Sequence, residues 1–163
     1  MPERTLWIIR HAAAEAPDLD QEDRDRPLSK AGQDECDALN ETLSAASPGL
    51  PLDWLCISAA RRTQQTANRL ATSLGVPPAH RHVLESLYLA NADTLLEELR
   101  CTPSDCERLG VIAHNPGVSE LVSKLTGEPL RGLPTLGYVV LRTLRSLEDW
   151  SELAPKGCVG VRH

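Results

Sequence analysis

Phenylalanine is missing from this 163-residue sequence, and three tryptophans and two tyrosines bring the aromatic fraction to only 3%. Few flat side chains are therefore available to stack on nucleic-acid bases. Basic residues are also in the minority: 17 Lys and Arg stand against 23 Asp and Glu, so the formal net charge is −6. A chain of this charge repels a phosphate backbone. The two shortages together exclude nucleic acid as the expected partner.

Long apolar runs are absent as well, since no stretch of the sequence approaches the roughly 18 residues that a membrane span needs. The opening residues, Met1-Pro2-Glu3-Arg4, also lack the apolar segment of a secretory signal. We therefore expect no membrane contact and a cytoplasmic location.

Cysteine is sparse, odd in number and scattered, with five residues in the chain. A disulfide framework needs an even, dense set in a secreted protein, so reduced thiols are the better interpretation. His80 and His82 could chelate a metal, but the sequence has no second pair of ligands that completes a zinc site. We expect neither a metal ion nor another cofactor.

The remaining composition is that of a globular protein, with 41% apolar and 25% charged residues. The length predicts one domain over residues 1–163. Four short apolar runs are typical of buried strands. They are Thr5–Ile9, Leu52–Ile57, Gly110–Ala113 and Gly137–Leu141.

Helical patterns separate these runs, with caps that mark their ends. The predicted helices are Ser29–Ala45 with Ser29 as N-cap, Thr63–Leu74 ended by Gly75, a short helix capped by Asn91 or Asp93, and a helix that begins at Pro116. The acidic residues 15–28 are interpreted as one long surface loop. Strands that alternate with helices predict an α/β fold, a three-layer α/β/α sandwich with a largely parallel central sheet.

Basic side chains follow three of the predicted strands. The first strand leads into Arg10 and His11, the second into Arg61 and Arg62, and the third into His114. Ligands of open α/β sheets bind outside the carboxyl ends of the strands, so we expect these side chains to converge. Guanidinium groups and imidazoles gathered in an acidic chain indicate a small dianion such as phosphate. The helix after the third strand would add its positive N-terminal end.

Some of the basic residues have ordinary interpretations. A lone histidine beside apolar residues is more often structural than functional, and we assign His80, His82 and His163 to that class. Arg61 is the neighbour of Arg62 that we expect to point into solvent.

Four segments carry a resemblance to a known family. Ile8–Ala12 (I-I-R-H-A) resembles the R-H-G signature of the histidine phosphatase superfamily, whose fold is phosphoglycerate mutase-like. Arg26–Gly32 resembles its R-P-L-T-x-x-G segment, and Ser58–Ala67 resembles S-P-x-x-R-A-x-Q-T-A with the second arginine at Arg62. Val111–Gly117 resembles the second-histidine motif in the form H-N-P-G. The segments follow the family's order, and the small size is most similar to SixA-type phosphohistidine phosphatases.

The resemblance implies a mechanism. His11 would attack phosphorus as a neutral imidazole and form a phosphohistidine that water hydrolyses. Arg10, Arg62 and His114 would neutralise the phosphoryl oxygens, so that no metal ion is required. The neighbouring arginine charges are expected to lower the pKa of His11.

Further roles follow less directly from the same motifs. Asn115 is expected to orient His114 or to bind phosphate. Glu85 is the candidate general acid, because acids at a similar position serve relatives, and its alternative is an exposed loop carboxylate. Ser58, Gln65 and Thr66 are expected to position Arg62 or to cap the following helix.

Three functions remain open. The expected one is hydrolysis of phosphohistidine on a phosphoprotein, and the alternatives are a small-metabolite phosphomonoesterase and a non-catalytic phosphate-binding module. Only 52 positions separate Arg62 from His114, which leaves no room for the lid insertion of larger relatives and favours a phosphate presented on a protein surface. Two residues depart from the motifs, Ala12 for glycine and Ala59 for proline. The first is expected to alter how closely the backbone approaches the phosphate, and with it the rate and substrate preference.

Overall fold

The computed structural model describes residues 3–161, which form one mixed sheet between two layers of helices. The six strands are β1 (Thr5–Arg10), β2 (Trp54–Ser58), β3 (Arg81–Leu84), β4 (Arg108–Ala113), β5 (Tyr138–Thr143) and β6 (Cys158–Gly160). The four α-helices are α1 (Lys30–Thr42), α2 (Arg61–Leu74), α3 (Ala92–Arg100) and α4 (Gly117–Thr126). This is the α/β/α sandwich that the alternating pattern predicts.

The sheet order is β3-β2-β4-β1-β5-β6. The four strands from β3 to β1 pair in parallel, whereas β5 runs antiparallel to both β1 and β6. Two edge strands, β3 and β6, were not predicted, because neither is a continuous apolar run. The residues of β3 are only partly buried or exposed, and two of the three residues of β6 are exposed.

Alternating side chains of β1 fill two separate cores. Leu6 and Ile8 pack with α3, α4 and Trp150 on one face of the sheet. Trp7 and Ile9 pack with α1 and α2 on the other face. The strand is therefore buried on both sides, as its unbroken apolar sequence predicts.

Two predicted caps are confirmed by side-chain hydrogen bonds. The Ser29 side chain accepts from the backbone N–H of Gly32, and the Asn91 side chain accepts from that of Thr94. The predicted C-terminal stop at Gly75 is also confirmed, since this residue lies in the left-handed region with φ of 70°.

The segment 15–28 is more ordered than the predicted surface loop. Ala14 and Leu28 form a β-bridge that closes its two ends. Between them, Asp23–Asp25 form one turn of 3-10 helix. The bridge brings this turn back toward the edge of the sheet where β1 ends.

Helix α1 lies directly against the backbone that follows β1. A Cβ built on Gly32 would lie 2.0 Å from the carbonyl oxygen of Ala13. The same carbonyl accepts a hydrogen bond from the backbone N–H of Ser29 at 3.0 Å. Only glycine fits at position 32, because any side chain there separates the helix from the segment that begins at His11.

We expect Gly32→Ala to lower the free energy of unfolding by about 1–3 kcal/mol through this overpacking. Urea unfolding monitored by circular dichroism measures the change. Gly160→Ala is the matched control, because nothing lies within 4 Å of a Cβ at that position, and its effect should stay within about 0.5 kcal/mol. Equal stability of the two variants would show that α1 is free to move away from the Ala13 carbonyl.

Candidate active site

The two candidate histidines meet because β1 and β4 are parallel neighbours in register. Arg10 lies opposite Ala113, and the backbone N–H of His11 donates to the carbonyl of Ala113 at 3.2 Å. The next residue on each strand is a histidine. The ring centroids of His11 and His114 lie 5.3 Å apart, with their planes inclined by 59°.

The orientation of the His11 ring is set by the backbone. Its Nδ1 lies 2.7 Å from the carbonyl oxygen of Ala12. A carbonyl oxygen can only accept, so Nδ1 carries the proton and the lone pair of the neutral ring is on Nε2. Alanine and glycine have the same backbone carbonyl, so the replacement of the family glycine by Ala12 does not remove this acceptor. Its side chain is fully buried in the core, and its N–H donates to the Thr66 hydroxyl at 3.1 Å.

Both histidines are held neutral. Burial, with smaller contributions from the Arg62 and Arg10 charges, lowers the pKa of His11 to about 4 against the opposing effect of the Ala12 hydrogen bond. Burial, then Arg62 and His11, lower the pKa of His114 to about 3. The predicted direction for His11 is confirmed, but burial and not arginine charge is its main cause.

The side chain of Arg62 is 97% buried, with 3% of its surface exposed. Its Nη1 donates to the carbonyl of Asp23 at 2.8 Å, and its Nη2 donates to Asp23 Oδ2 at 3.0 Å and to His114 Nδ1 at 3.4 Å. Arg10 donates from Nη1 to the carbonyl of Leu133 at 2.9 Å. The Nε atoms of both arginines are buried and find no acceptor within residues 3–161. A bound oxyanion is the kind of ligand that would satisfy such donors.

The tautomer of His114 follows from its two partners. Because Arg62 can only donate, Nδ1 of His114 accepts. Its Nε2 therefore carries the proton and donates to the hydroxyl of Ser58 at 2.7 Å. Ser58 thus contacts His114, contrary to the expectation that it positions Arg62.

The other two polar residues of that motif hold backbone in place. Thr66 donates from its hydroxyl to the carbonyl of Arg62 at 2.7 Å. Gln65 accepts from the backbone N–H of Leu28 at 2.7 Å. The Thr66 bond lies within α2, whereas the Gln65 bond attaches α2 to the end of the segment that carries the 3-10 turn.

The structure adds a carboxylate that the sequence interpretation missed. Asp23 lines the cavity, and its Oδ2 accepts from Arg62 and from the Tyr88 hydroxyl, the latter at 2.5 Å. Its Oδ1 accepts from Nε and Nη2 of Arg26 at 3.1 and 2.8 Å. Hydrogen bonding from Tyr88, followed by that from Arg26 and Arg62, holds the pKa of Asp23 well below its usual range. The signal for Asp23 in the sequence was Arg26 of the R-P-L segment, which lies three residues later and pairs with it.

Two expected residues do not act on the cavity as anticipated. Asn115 lines it, but its amide is engaged by the protein, since Nδ2 donates to the Leu133 carbonyl at 2.8 Å and Oδ1 accepts from Ser119 at 2.5 Å. Glu85 does not line the cavity. Its side chain is 72% exposed and accepts two hydrogen bonds from Arg24. This is the loop carboxylate of the alternative interpretation.

The other histidines lie away from the cavity or outside the described residues. His82 stacks on Trp54 with ring centroids 4.0 Å apart, and Nδ1 of His80 lies 2.8 Å from the carbonyl of Asp53. Arg61 is exposed, as expected. His163 lies outside residues 3–161, for which the structure gives a description.

The cavity at the end of β1 and β4 has a volume of about 460 Å³. Its lining includes three guanidinium groups and the two neutral imidazoles. Among the described residues, Asp23 is the carboxylate that lines it. In the same part of the chain, no three His, Cys, Asp or Glu side chains cluster in a way that could hold a metal ion. No helix of residues 3–161 has the length and apolar character of a bilayer span.

Comparison with known proteins identifies the family. The family model for the histidine phosphatase superfamily, branch 1, matches residues 6–100, which is more than half of the chain. The chain belongs to this superfamily, and a phosphatase activity is supported by that membership.

The chain is also similar to individual proteins. An uncharacterised chloroplastic protein of Arabidopsis thaliana is 29% identical over 91% of this chain and 70% of its own length. A structure assigned as phosphohistidine phosphatase SixA of Nakamurella multipartitia is 26% identical, with a TM-score of 0.78 over 99% of this chain and 95% of that chain. A protein histidine phosphatase SixA complexed with tungstate shares the fold, with a TM-score of 0.75 at 22% identity over 97% of this chain and 94% of that chain.

We expect the imidazole of His11 to stay neutral down to about pH 5, because its pKa is lowered to about 4. An NMR titration of the ring protons measures this directly. An unfolded chain binds a proton on His11 near pH 6.5, whereas the folded chain does not, so acidification from pH 6.5 to 4 should also lower the stability. A His11 pKa clearly above 6.5 would contradict the geometry.

Proposed function

We propose that this histidine phosphatase transfers a phosphoryl group to Nε2 of His11 and hydrolyses the resulting phosphohistidine, and that its substrate is phosphohistidine on a protein. One observation supports the chemistry above all others. The Nδ1 proton of His11 is held by the Ala12 carbonyl, which leaves a neutral nucleophilic nitrogen in a cavity lined by Arg10 and Arg62.

The first step forms a bond between Nε2 of His11 and phosphorus while the bond to the leaving group breaks on the opposite side. Arg10 and Arg62 neutralise the phosphoryl oxygens through donors that include their unpartnered Nε atoms. In the second step, water attacks the phosphorus of the phosphohistidine and His11 is released.

His114 contributes by taking up a proton. A phosphate dianion beside its ring favours the imidazolium form and so raises its pKa from about 3. Nδ1 can then donate to a phosphoryl oxygen, while Nε2 keeps its hydrogen bond to Ser58. Ser58 is therefore an acceptor that allows both ring nitrogens to carry protons.

Two features support a phosphate carried by a protein. Arg62 and His114 are 52 positions apart (114 − 62), and the residues between them form the rest of α2, β3, α3, β4 and short connections, with no inserted lid domain. Enzymes that must retain a small intermediate usually close a lid over it. The similar structure from Nakamurella multipartitia carries the phosphohistidine phosphatase assignment. We also propose that residues 1–163 form a single domain.

We expect His11→Ala to reduce hydrolysis of a phosphohistidine protein to background, because the variant has no group that accepts the phosphoryl transfer. Its circular dichroism spectrum should match that of the wild type. His82→Ala is the control, since that histidine packs on Trp54 outside the cavity. Activity of the His11 variant near the wild-type level would refute the nucleophile, and failure of the wild type to trap labelled phosphate on His11 would indicate a binding module.

A turnover screen tests the substrate. We expect a phosphohistidine protein to be hydrolysed with a higher kcat/KM than p-nitrophenyl phosphate or common metabolite phosphates. Because the cationic side chains of the cavity neutralise the phosphate without a metal ion, EDTA should leave the rate unchanged. A metabolite phosphate that exceeds the phosphohistidine protein would favour a small-metabolite phosphomonoesterase.

A further inference from the structure

We propose that Asp23 is a specificity-determining residue, which makes the site select phosphoramidates with a protonated nitrogen leaving group over alkyl phosphate esters. The inference rests on the proposed function, because it concerns the leaving group of the phosphoryl transfer to His11. It is drawn from the position of Asp23, the number of its donors and its charge.

The position of Asp23 places it beside the phosphoryl site. Its Oδ2 lies 3.0 Å from Nη2 of Arg62, and the same Nη2 lies 3.4 Å from Nδ1 of His114. Among the residues that the structure describes, it is the carboxylate that lines this cavity. A leaving group bonded to a phosphorus held by Arg62 therefore departs close to this negative charge.

The carboxylate of Asp23 is saturated with donors from the protein. Arg26 donates twice to Oδ1, and Arg62 and Tyr88 each donate once to Oδ2. An ionised carboxylate has about four lone-pair sites, so all of them are used. These donors also keep the group ionised, as the lowered pKa of Asp23 shows.

Substrate binding frees one of these lone pairs. A phosphate dianion competes with Asp23 for Nη2 of Arg62, because it carries the larger negative charge at hydrogen-bond distance. When Nη2 turns to a phosphoryl oxygen, Oδ2 of Asp23 becomes able to accept from another donor. An N–H on the leaving group can then take the place of Arg62.

The leaving group of phosphohistidine has such a donor. When the ring nitrogen that is not bonded to phosphorus is protonated, Asp23 can accept its N–H and favour the cationic ring. Nε2 of His11 then bonds to phosphorus, the P–N bond breaks, and its electron pair stays on the departing nitrogen. The product is a neutral imidazole that keeps the proton on its other nitrogen, so no general acid is needed.

An alkyl phosphate has the opposite requirement. When its P–O bond breaks, the electron pair stays on oxygen and forms an alkoxide, which needs a proton in the transition state. Asp23 has no proton to give, and its charge repels the developing alkoxide. Glu85, the acid that the sequence suggested, is paired with Arg24 outside the cavity.

The test compares kcat/KM for phosphoimidazole, butyl phosphate and p-nitrophenyl phosphate in the full-length wild type and in Asp23→Asn. The aryl ester leaves readily without a proton or a cationic ring, so it reports on phosphate binding and on His11 alone. We expect Asp23→Asn to lower kcat/KM for phosphoimidazole roughly ten- to hundredfold, the size of one charge-assisted hydrogen bond. Any loss on p-nitrophenyl phosphate reports on the orientation of Arg62, so the ratio of the phosphoimidazole value to the p-nitrophenyl phosphate value should fall roughly tenfold or more. The ratio of the butyl phosphate value to the p-nitrophenyl phosphate value should not fall.

Asp25→Asn is the matched control. Asp25 belongs to the same turn of 3-10 helix and carries the same charge, but it does not line the cavity. Its substitution should leave the ratio of phosphoimidazole to p-nitrophenyl phosphate turnover unchanged. Asp23→Ser removes the same charge with a smaller side chain and serves if the asparagine variant does not fold.

The outcomes separate this proposal from the proposed function. Equal losses on phosphoimidazole and p-nitrophenyl phosphate would show that Asp23 only orients Arg62 and would overturn the inference. An unchanged ratio, or a wild type that prefers butyl phosphate, would overturn it as well. If instead the wild type hydrolyses none of the three compounds, or traps no phosphate on His11, the proposed function itself fails.

Discussion

The parallel pairing of β1 with β4 is the constraint on which the site depends. Its register places Arg10 opposite Ala113, so His11 and His114 leave the sheet at the same edge and at the same height. Both histidines are buried there, and that burial is the main reason why the pKa values of both imidazoles are low. The β1–β4 pairing therefore brings the two histidines together and places both imidazoles where burial keeps them neutral.

Part of the positive charge of the cavity is paired with a carboxylate of the protein itself. Arg62 is almost fully buried, and a buried guanidinium without an anionic partner is costly. Asp23 supplies that partner and also pairs with Arg26, so the cationic cluster is stable before a substrate arrives. The same ion pairs place a negative charge in the lining of the cavity. An acidic chain of net charge −6 can thus carry a phosphate site because the cations are concentrated at one sheet edge.

Much of this arrangement was predictable from sequence, because it follows from local patterns. Buried apolar runs marked the four central strands, and the residues directly after them marked Arg10, His11, Arg62 and His114. The edge strands β3 and β6 were missed, since partly exposed strands lack such runs. Asp23 was missed for a different reason. Its one local signal is Arg26, three residues later, and that pairing does not place it in the cavity. Its position there depends on the bridge that closes the segment 15–28 and on partners 39 and 65 residues away.

The central position of β1 has a consequence for biosynthesis. Its two neighbours are β4 (Arg108–Ala113) and β5 (Tyr138–Thr143), both from the second half of the chain. β1 is thus without a partner until β4 has been made, and its pairs with β4 join residues 103 positions apart in sequence (108 − 5). Pairings at such long sequence separation form late and expose apolar strand until they do. His11 acquires its position beside His114 only after β4 has been made, so a nascent chain that ends before β4 lacks the second histidine of the cavity.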